Sequence, residues 1–154
     1  SCIGWWTWCG WEDLTLDQGN TDPWDLFSFQ GEATTPWIQV SWTGEVFQGT
    51  HALLSPEIGG THKTNTLKYT QNFDTPKKLS FNFKTKNIIN FEDSYRFLID
   101  WVEYDKVIYT TPNVNQYTSY TTPIIGTGSH VFEWRINGWY NHDSRLYLDN
   151  LLIQ

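Results

Sequence analysis

From residue 37 onward apolar and polar residues alternate, and this two-residue period narrows most what the chain can fold into. A β-strand points successive side chains to opposite faces, whereas an amphipathic helix needs apolar residues at a period of about 3.6. No segment keeps the helical period for three turns. WIQVSW sets Trp37, Gln39 and Ser41 against Ile38, Val40 and Trp42. TLKYTQNF puts Leu67, Tyr69, Gln71 and Phe73 on one side, and KLSFNFK sets Leu79, Phe81 and Phe83 against Ser80, Asn82 and Lys84. YRFLIDWVEY is apolar on both faces through its middle and reads as one strand near the centre of a sheet. KVIYT, NQYTSYT, HVFEWRI and RLYLDNLLI complete the set. Turn residues fall between these runs, at Gly59-Gly60, Asp74 to Pro76, Pro112-Asn113, Gly126 to Gly128 and Asn137-Gly138. Short strands so punctuated predict an all-β fold, a two-sheet antiparallel β-sandwich.

No internal repeat, low-complexity segment or linker interrupts the pattern, so residues 1–154 are expected to form a single domain. Within it, residues 1–36 hold five of the ten tryptophans, four of the ten aspartates and no Lys or Arg, and read as a loop-rich opening segment. A formal net charge of -7 argues against nucleic acid and anionic membrane as partners, because both would be repelled. Apolar runs of only a few residues are too short for a membrane-spanning helix. A chain that starts at Ser1 without a recognisable signal is expected to be a mature or trimmed product. Cys2 and Cys9 frame SCIGWWTWC, where a disulfide would stabilise by about 2–3 kcal/mol and imply an oxidising compartment. Two free thiols are the alternative, and the spacing fits no usual zinc site. The lack of Met and the wealth of Thr, Asn and aromatics also suit a secreted, extracellular protein.

Ten tryptophans exceed what a core of this size needs. Trp42, Trp101 and Trp134 lie in alternating strands and are expected in the core. Trp5, Trp6 and Trp8 crowd the proposed disulfide loop, which is too short to bury all three. Trp139 and Tyr140 follow the Asn137-Gly138 turn beside Asn141, and Trp37 shares a predicted open face with Gln39. Sugar rings have apolar C–H faces and a polar rim, so exposed indoles flanked by amides suit them. Trp5, Trp6, Trp8, Trp37, Gln39, Trp139, Tyr140 and Asn141 are therefore the candidate carbohydrate-binding residues.

Several blocks, taken in order, resemble the jelly-roll sandwiches of the MAM and cleaved-adhesin type. CGWEDLTLDQGNTDPWDLF resembles their Cys-Gly-Trp start, acidic stretch and Trp, and GEVFQGTHALLSPEIGG the segment leading to an Ala and a Ser-Pro pair. LKYTQNFDTPKKLSFNFKTKN is similar to their strand pair, YRFLIDWVEYD to the strand ending in Ile-Asp, GTGSHVFEWRI to the Gly-x-His-x-Phe-x-Trp strand and LYLDNLLI to the closing strand. The resemblance implies a jelly-roll sandwich, an architecture shared with carbohydrate-binding modules, adhesins and structural repeats. It also implies a structural ion between the acidic stretch and the last strand. Asp17, Asp22, Asp25 and Asp149 are oxygen donors suited to calcium, Ca2+, although without the rhythm of a dedicated calcium loop they also read as turn residues.

Catalysis has less support. Glu103 and Glu133, with Asp100 nearby, are the carboxylates a glycosidase would need, yet both glutamates fit equally well as exposed strand positions. No Gly-x-Ser-x-Gly elbow appears, and His130 reads as a packing or turn residue. The leading expectation is a noncatalytic extracellular module binding a neutral polysaccharide or glycan, free-standing or as the targeting module of a larger enzyme. The second is a structural or adhesive subunit that self-associates through its Trp-rich N-terminus. A small polysaccharide hydrolase comes third.

Overall fold

The computed structural model describes residues 27–31, 37–40, 47, 52–56, 63–112, 115–139 and 143–154, with the backbone alone for 27–31, Ile38 and Gln39. Among the described residues ten strands follow in chain order: β1 (Phe27–Gly31), β2 (Ile38–Val40), β3 (Ala52–Leu54), β4 (Lys63–Phe73), β5 (Leu79–Lys86), β6 (Ser94–Ile99), β7 (Val102–Ile108), β8 (Thr118–Thr121), β9 (Gly128–Gly138) and β10 (Arg145–Ile153). They pair antiparallel into two five-stranded sheets, ordered β1-β4-β9-β6-β7 and β2-β3-β10-β5-β8. Strands β7 and β8 are therefore the edges of the two sheets on one side of the sandwich, and β1 and β2 on the other. The expected all-β sandwich is present, and the opening segment contributes β1, registered from Phe27↔Tyr69 to Gly31↔Asn65.

The core lies where the predicted alternation puts it. Leu67, Tyr69 and Phe73 of β4, Phe132, Trp134 and Ile136 of β9, and Leu79, Phe81 and Phe83 of β5 are all buried. The packing between the sheets is largely aromatic: Trp134 meets Phe81 edge-on at 5.5 Å and Phe83 stacks on Tyr95 at 4.7 Å, while within its own sheet Trp134 meets Phe97 at 5.2 Å. Tilted and edge-to-face rings at these separations add specific attraction to the area they bury.

Two tryptophans depart from expectation. Trp37 is 5% exposed and belongs to the core cluster, so it is not on an open face. The reason is register: Gln39, two residues on, pairs with the core residue Leu53, so the Trp37 side of β2 is the side of the other sheet. Trp101, expected in the core, is 65% exposed. YRFLIDWVEY is not one strand but a hairpin, β6 and β7, reversing at Asp100 and Trp101. A smaller difference concerns Asn137-Gly138, which is not a turn but stays inside β9, opposite Thr64 and Lys63.

Candidate functional site

Ile99 ends β6 and Val102 begins β7, which leaves two residues for the reversal. Both have positive φ, 49° at Asp100 and 67° at Trp101. A tight hairpin prefers this mirror-image turn because it matches the twist of the strands, but it normally takes Asn-Gly, since an L side chain there costs about 1–2 kcal/mol per residue. Asp100 offsets its share through contacts with β9. Its N–H donates to the Val131 carbonyl at 2.8 Å, its Oδ1 accepts the Val131 N–H at 2.9 Å, and its Oδ2 lies 2.7 Å from His130 Nδ1. The other ring nitrogen, Nε2, lies 2.8 Å from the Gly126 carbonyl. With an acceptor facing each nitrogen, the doubly protonated imidazolium fits best. Accordingly the bond to Asp100 raises the His130 pKa, against an opposing effect of burial. Among the described residues Trp101 has no comparable tether, and the turn displays its indole to solvent with Val102 exposed beside it in sequence.

The opposite end carries a second aromatic display. Trp139 follows β9 and is 38% exposed, at the end of the sandwich where the exposed Ile89, Phe91 and Tyr109 also lie. Its position is set by Asp93, a fully buried carboxylate. Oδ1 of Asp93 accepts the Trp139 N–H at 3.1 Å, while Oδ2 accepts those of Ile89 at 3.0 Å and Asn90 at 3.1 Å. One side chain thus ties the β5–β6 connection to the end of β9. Trp139 is the one predicted sugar-binding aromatic described and on the surface. Tyr140, Asn141, Trp5, Trp6, Trp8, Cys2, Cys9 and Trp42 lie outside the described residues.

Asp149, the last-strand member of the predicted ion set, is fully buried. Its Oδ2 accepts the Phe47 N–H at 2.9 Å and its Oδ1 that of Asn150 at 2.7 Å, where a bulge puts Asn150 at φ 53°. Asn150 continues through Asn82 to Ser119 at 3.1 and 2.6 Å. Among the described residues no three His, Cys, Asp or Glu converge as a metal group. Calcium needs about six to eight oxygens, so Asp149 alone makes no cage; Asp17, Asp22 and Asp25 lie outside the described residues.

Glu103 and Glu133 share the outer face of the first sheet, each in register with Leu98 from its own side, which separates their strands by roughly 10 Å. Each is paired with an arginine, Glu103 with Arg96 and Glu133 with Arg135 at 3.0 Å. Glu133, read as an exposed strand position, is in fact 2% exposed. Sequence reasoning missed the turn at Trp101 and the anchor at Asp93. Asp100, a lone charge within an apolar run, was the available signal for the first; Asn90 to Ser94, rich in turn formers, was the signal for the second.

No family model matches the sequence, and no curated protein matches it significantly. Among solved structures, the fold is similar to that of TmCBM61 in complex with β-1,4-galactotriose, with a TM-score of 0.62 at 11% identity over 83% of this chain and 87% of that one. It is also similar to a structure from the β-sandwich superfamily of carbohydrate-binding modules, with a TM-score of 0.54 at 15% identity, covering 82% of this chain and 56% of that one. The K1 cleaved adhesin domain of Lys-gingipain from Porphyromonas gingivalis W83 gives a TM-score of 0.52 at 11% identity, covering 82% and 98%. At these identities the likeness establishes the fold: a jelly-roll-type β-sandwich of the kind the sequence resembles.

Proposed function

We propose that the protein is a noncatalytic, extracellular carbohydrate-binding module that holds a neutral polysaccharide or glycan by aromatic stacking, alone or as the targeting module of a larger enzyme. The observation that carries this reading is Trp101: a bare indole, 65% exposed, kept at a turn position where glycine would be favoured. Backbone strain that serves no packing purpose points to a surface group retained for contact. Trp139, with Tyr140 and Asn141 next in sequence, forms the second contact region.

Trp101→Gly separates display from folding. Glycine removes the positive-φ penalty, so the variant is expected to be as stable as the parent or more so, by up to about 1 kcal/mol. Removal of the stacking surface is expected to weaken polysaccharide binding about tenfold or more, as for a contact hot spot. Affinity electrophoresis and calorimetry against galactan, xylan, mannan and β-glucan, beside a thermal melt, check both halves. No binding to any of these by the parent chain, or unchanged binding by Trp101→Gly and Trp139→Ala alike, would sink the reading.

A calcium ion held by Asp149 with Asp17, Asp22 and Asp25 belongs to the same proposal and serves the fold rather than the sugar. Chelation is then expected to lower Tm by several degrees and added calcium to restore it. An unchanged melt under chelation removes the ion.

A further inference from the structure

Where the two sheets part, at the edge formed by β7 and β8, the surface opens into a cleft of about 180 Å³. Phe83, Val107 and Tyr120 are among its apolar lining, and Asp105, Gln116 and Thr118 among its polar groups. Tyr120 packs on Phe81 and Phe97 at 5.6 and 5.5 Å, and its hydroxyl donates to the Tyr104 carbonyl at 3.4 Å, which joins the two edge strands. Behind Phe83 lies Tyr95, whose buried hydroxyl has no hydrogen-bond partner among the described residues. Buried hydroxyls are nearly always partnered, by protein, water or ligand. Burial, with Asp105 and then Tyr120 nearby, pushes this hydroxyl well up, and burial also raises the Asp105 carboxyl.

We propose that this cleft is a second ligand site, distinct from Trp101, that receives one neutral sugar ring: a chain end or a branch. The inference rests on the carbohydrate-binding reading above. Size selects a single ring, because pockets for larger ligands run to about 300–1,000 Å³. Polarity selects a polyol. Asp105 accepts hydrogen bonds, and the Gln116 amide and the hydroxyl of Thr118, which register places opposite Phe83, donate and accept, so the set matches the mixed donors and acceptors around a sugar ring while the carboxylate disfavours an acidic one. The apolar lining suits the C–H face of the ring. Register places Asp105 opposite the core residue Phe97, so a carboxylate sits on the inner side of an edge strand. Such a charge otherwise serves as a guard against edge-to-edge pairing.

The test is a ¹⁵N chemical-shift titration of the full chain with D-galactose, D-glucose, D-xylose and D-mannose in turn. At least one sugar is expected to bind with Kd on the order of millimolar and to move the amides of residues 105–107 and 118–120. Asp105→Asn is expected to weaken it about tenfold, the scale of one hydrogen bond to a charged group, and Thr118→Phe to block the cleft from an exposed position. Trp101→Gly should leave these shifts intact. Absence of cleft shifts with all four sugars overturns the proposal. So does an Asp105→Asn chain that self-associates while its sugar shifts stay unchanged, because Asp105 is then only an edge guard. Cleft shifts absent while Trp101 still supports polysaccharide binding refute the cleft alone. Polysaccharide binding absent, with cleft shifts intact, refutes the Trp101 reading alone.

Discussion

Trp134→Ala is expected to remove about 3–5 kcal/mol of stability, the range for truncating a large buried aromatic. Trp134 is fully buried on β9, which is bonded on both sides, to β4 and β6. Its ring packs on Phe81 from the opposite sheet and on Phe97 from the neighbouring strand. Truncation would strip one wall from both rings at the centre of the sandwich, where rigid strands limit how far neighbours can close in. At roughly 2–4 °C per kcal/mol for a domain of this size, Tm should fall by about 10–15 °C. Trp134→Phe is the informative partner. Trp134 Nε1 is buried without a hydrogen-bond partner among the described residues, so phenylalanine loses volume but also removes an unsatisfied donor. Its penalty is expected to be less than half that of alanine. Urea titration followed by circular dichroism measures both. A loss below about 1 kcal/mol for alanine would show that Trp134 does not anchor the two sheets.

The contrast among Trp134, Trp101 and Trp37 shows where the sequence was legible. Trp134 alternates cleanly with Glu133 and Arg135, and β4 beside it repeats that period, so its inward placement follows from local pattern. The same pattern read correctly through Leu67 to Phe73 and Leu79 to Phe83. Trp101 sits in a run apolar on both faces, where alternation carries no information and one acidic residue is the only break. Whether Asp100 lies within a strand or starts a turn depends on the Val131 backbone and His130, some thirty residues away. Trp37 fails for a different reason. Alternation shows that Trp37, Gln39 and Ser41 share a face, but not whether that face meets the other sheet; the pairing of β2 with β3 decides it. Periodicity thus gave the strands, and long-range register gave the surface. Among the described residues the indoles at the surface are accordingly Trp101 and Trp139, while Trp37 is in the core.

Asp93→Ala is expected to cost about 3 kcal/mol without removing any apolar contact. Three part-buried N–H groups, those of Ile89, Asn90 and Trp139, lose their acceptor, at roughly 1 kcal/mol each. All three converge on one carboxylate from two separate segments, so they lose their common acceptor together. Asp93→Asn should recover only part of the loss, since the amide keeps one oxygen and turns an NH₂ towards a group that also donates. The damage should stay local. Amide exchange is expected to speed up at Ile89, Asn90 and Trp139, while Val131 and the Trp101 turn at the far end keep their protection. Binding contributed by Trp139 should weaken with its anchor, and binding contributed by Trp101 should not. If those three amides stay protected and Tm moves by less than about 2 °C, the carboxylate is not what holds this end together. If protection falls at both ends at once, the two aromatic displays share one cooperative unit, and Trp139 cannot be tuned separately from the fold.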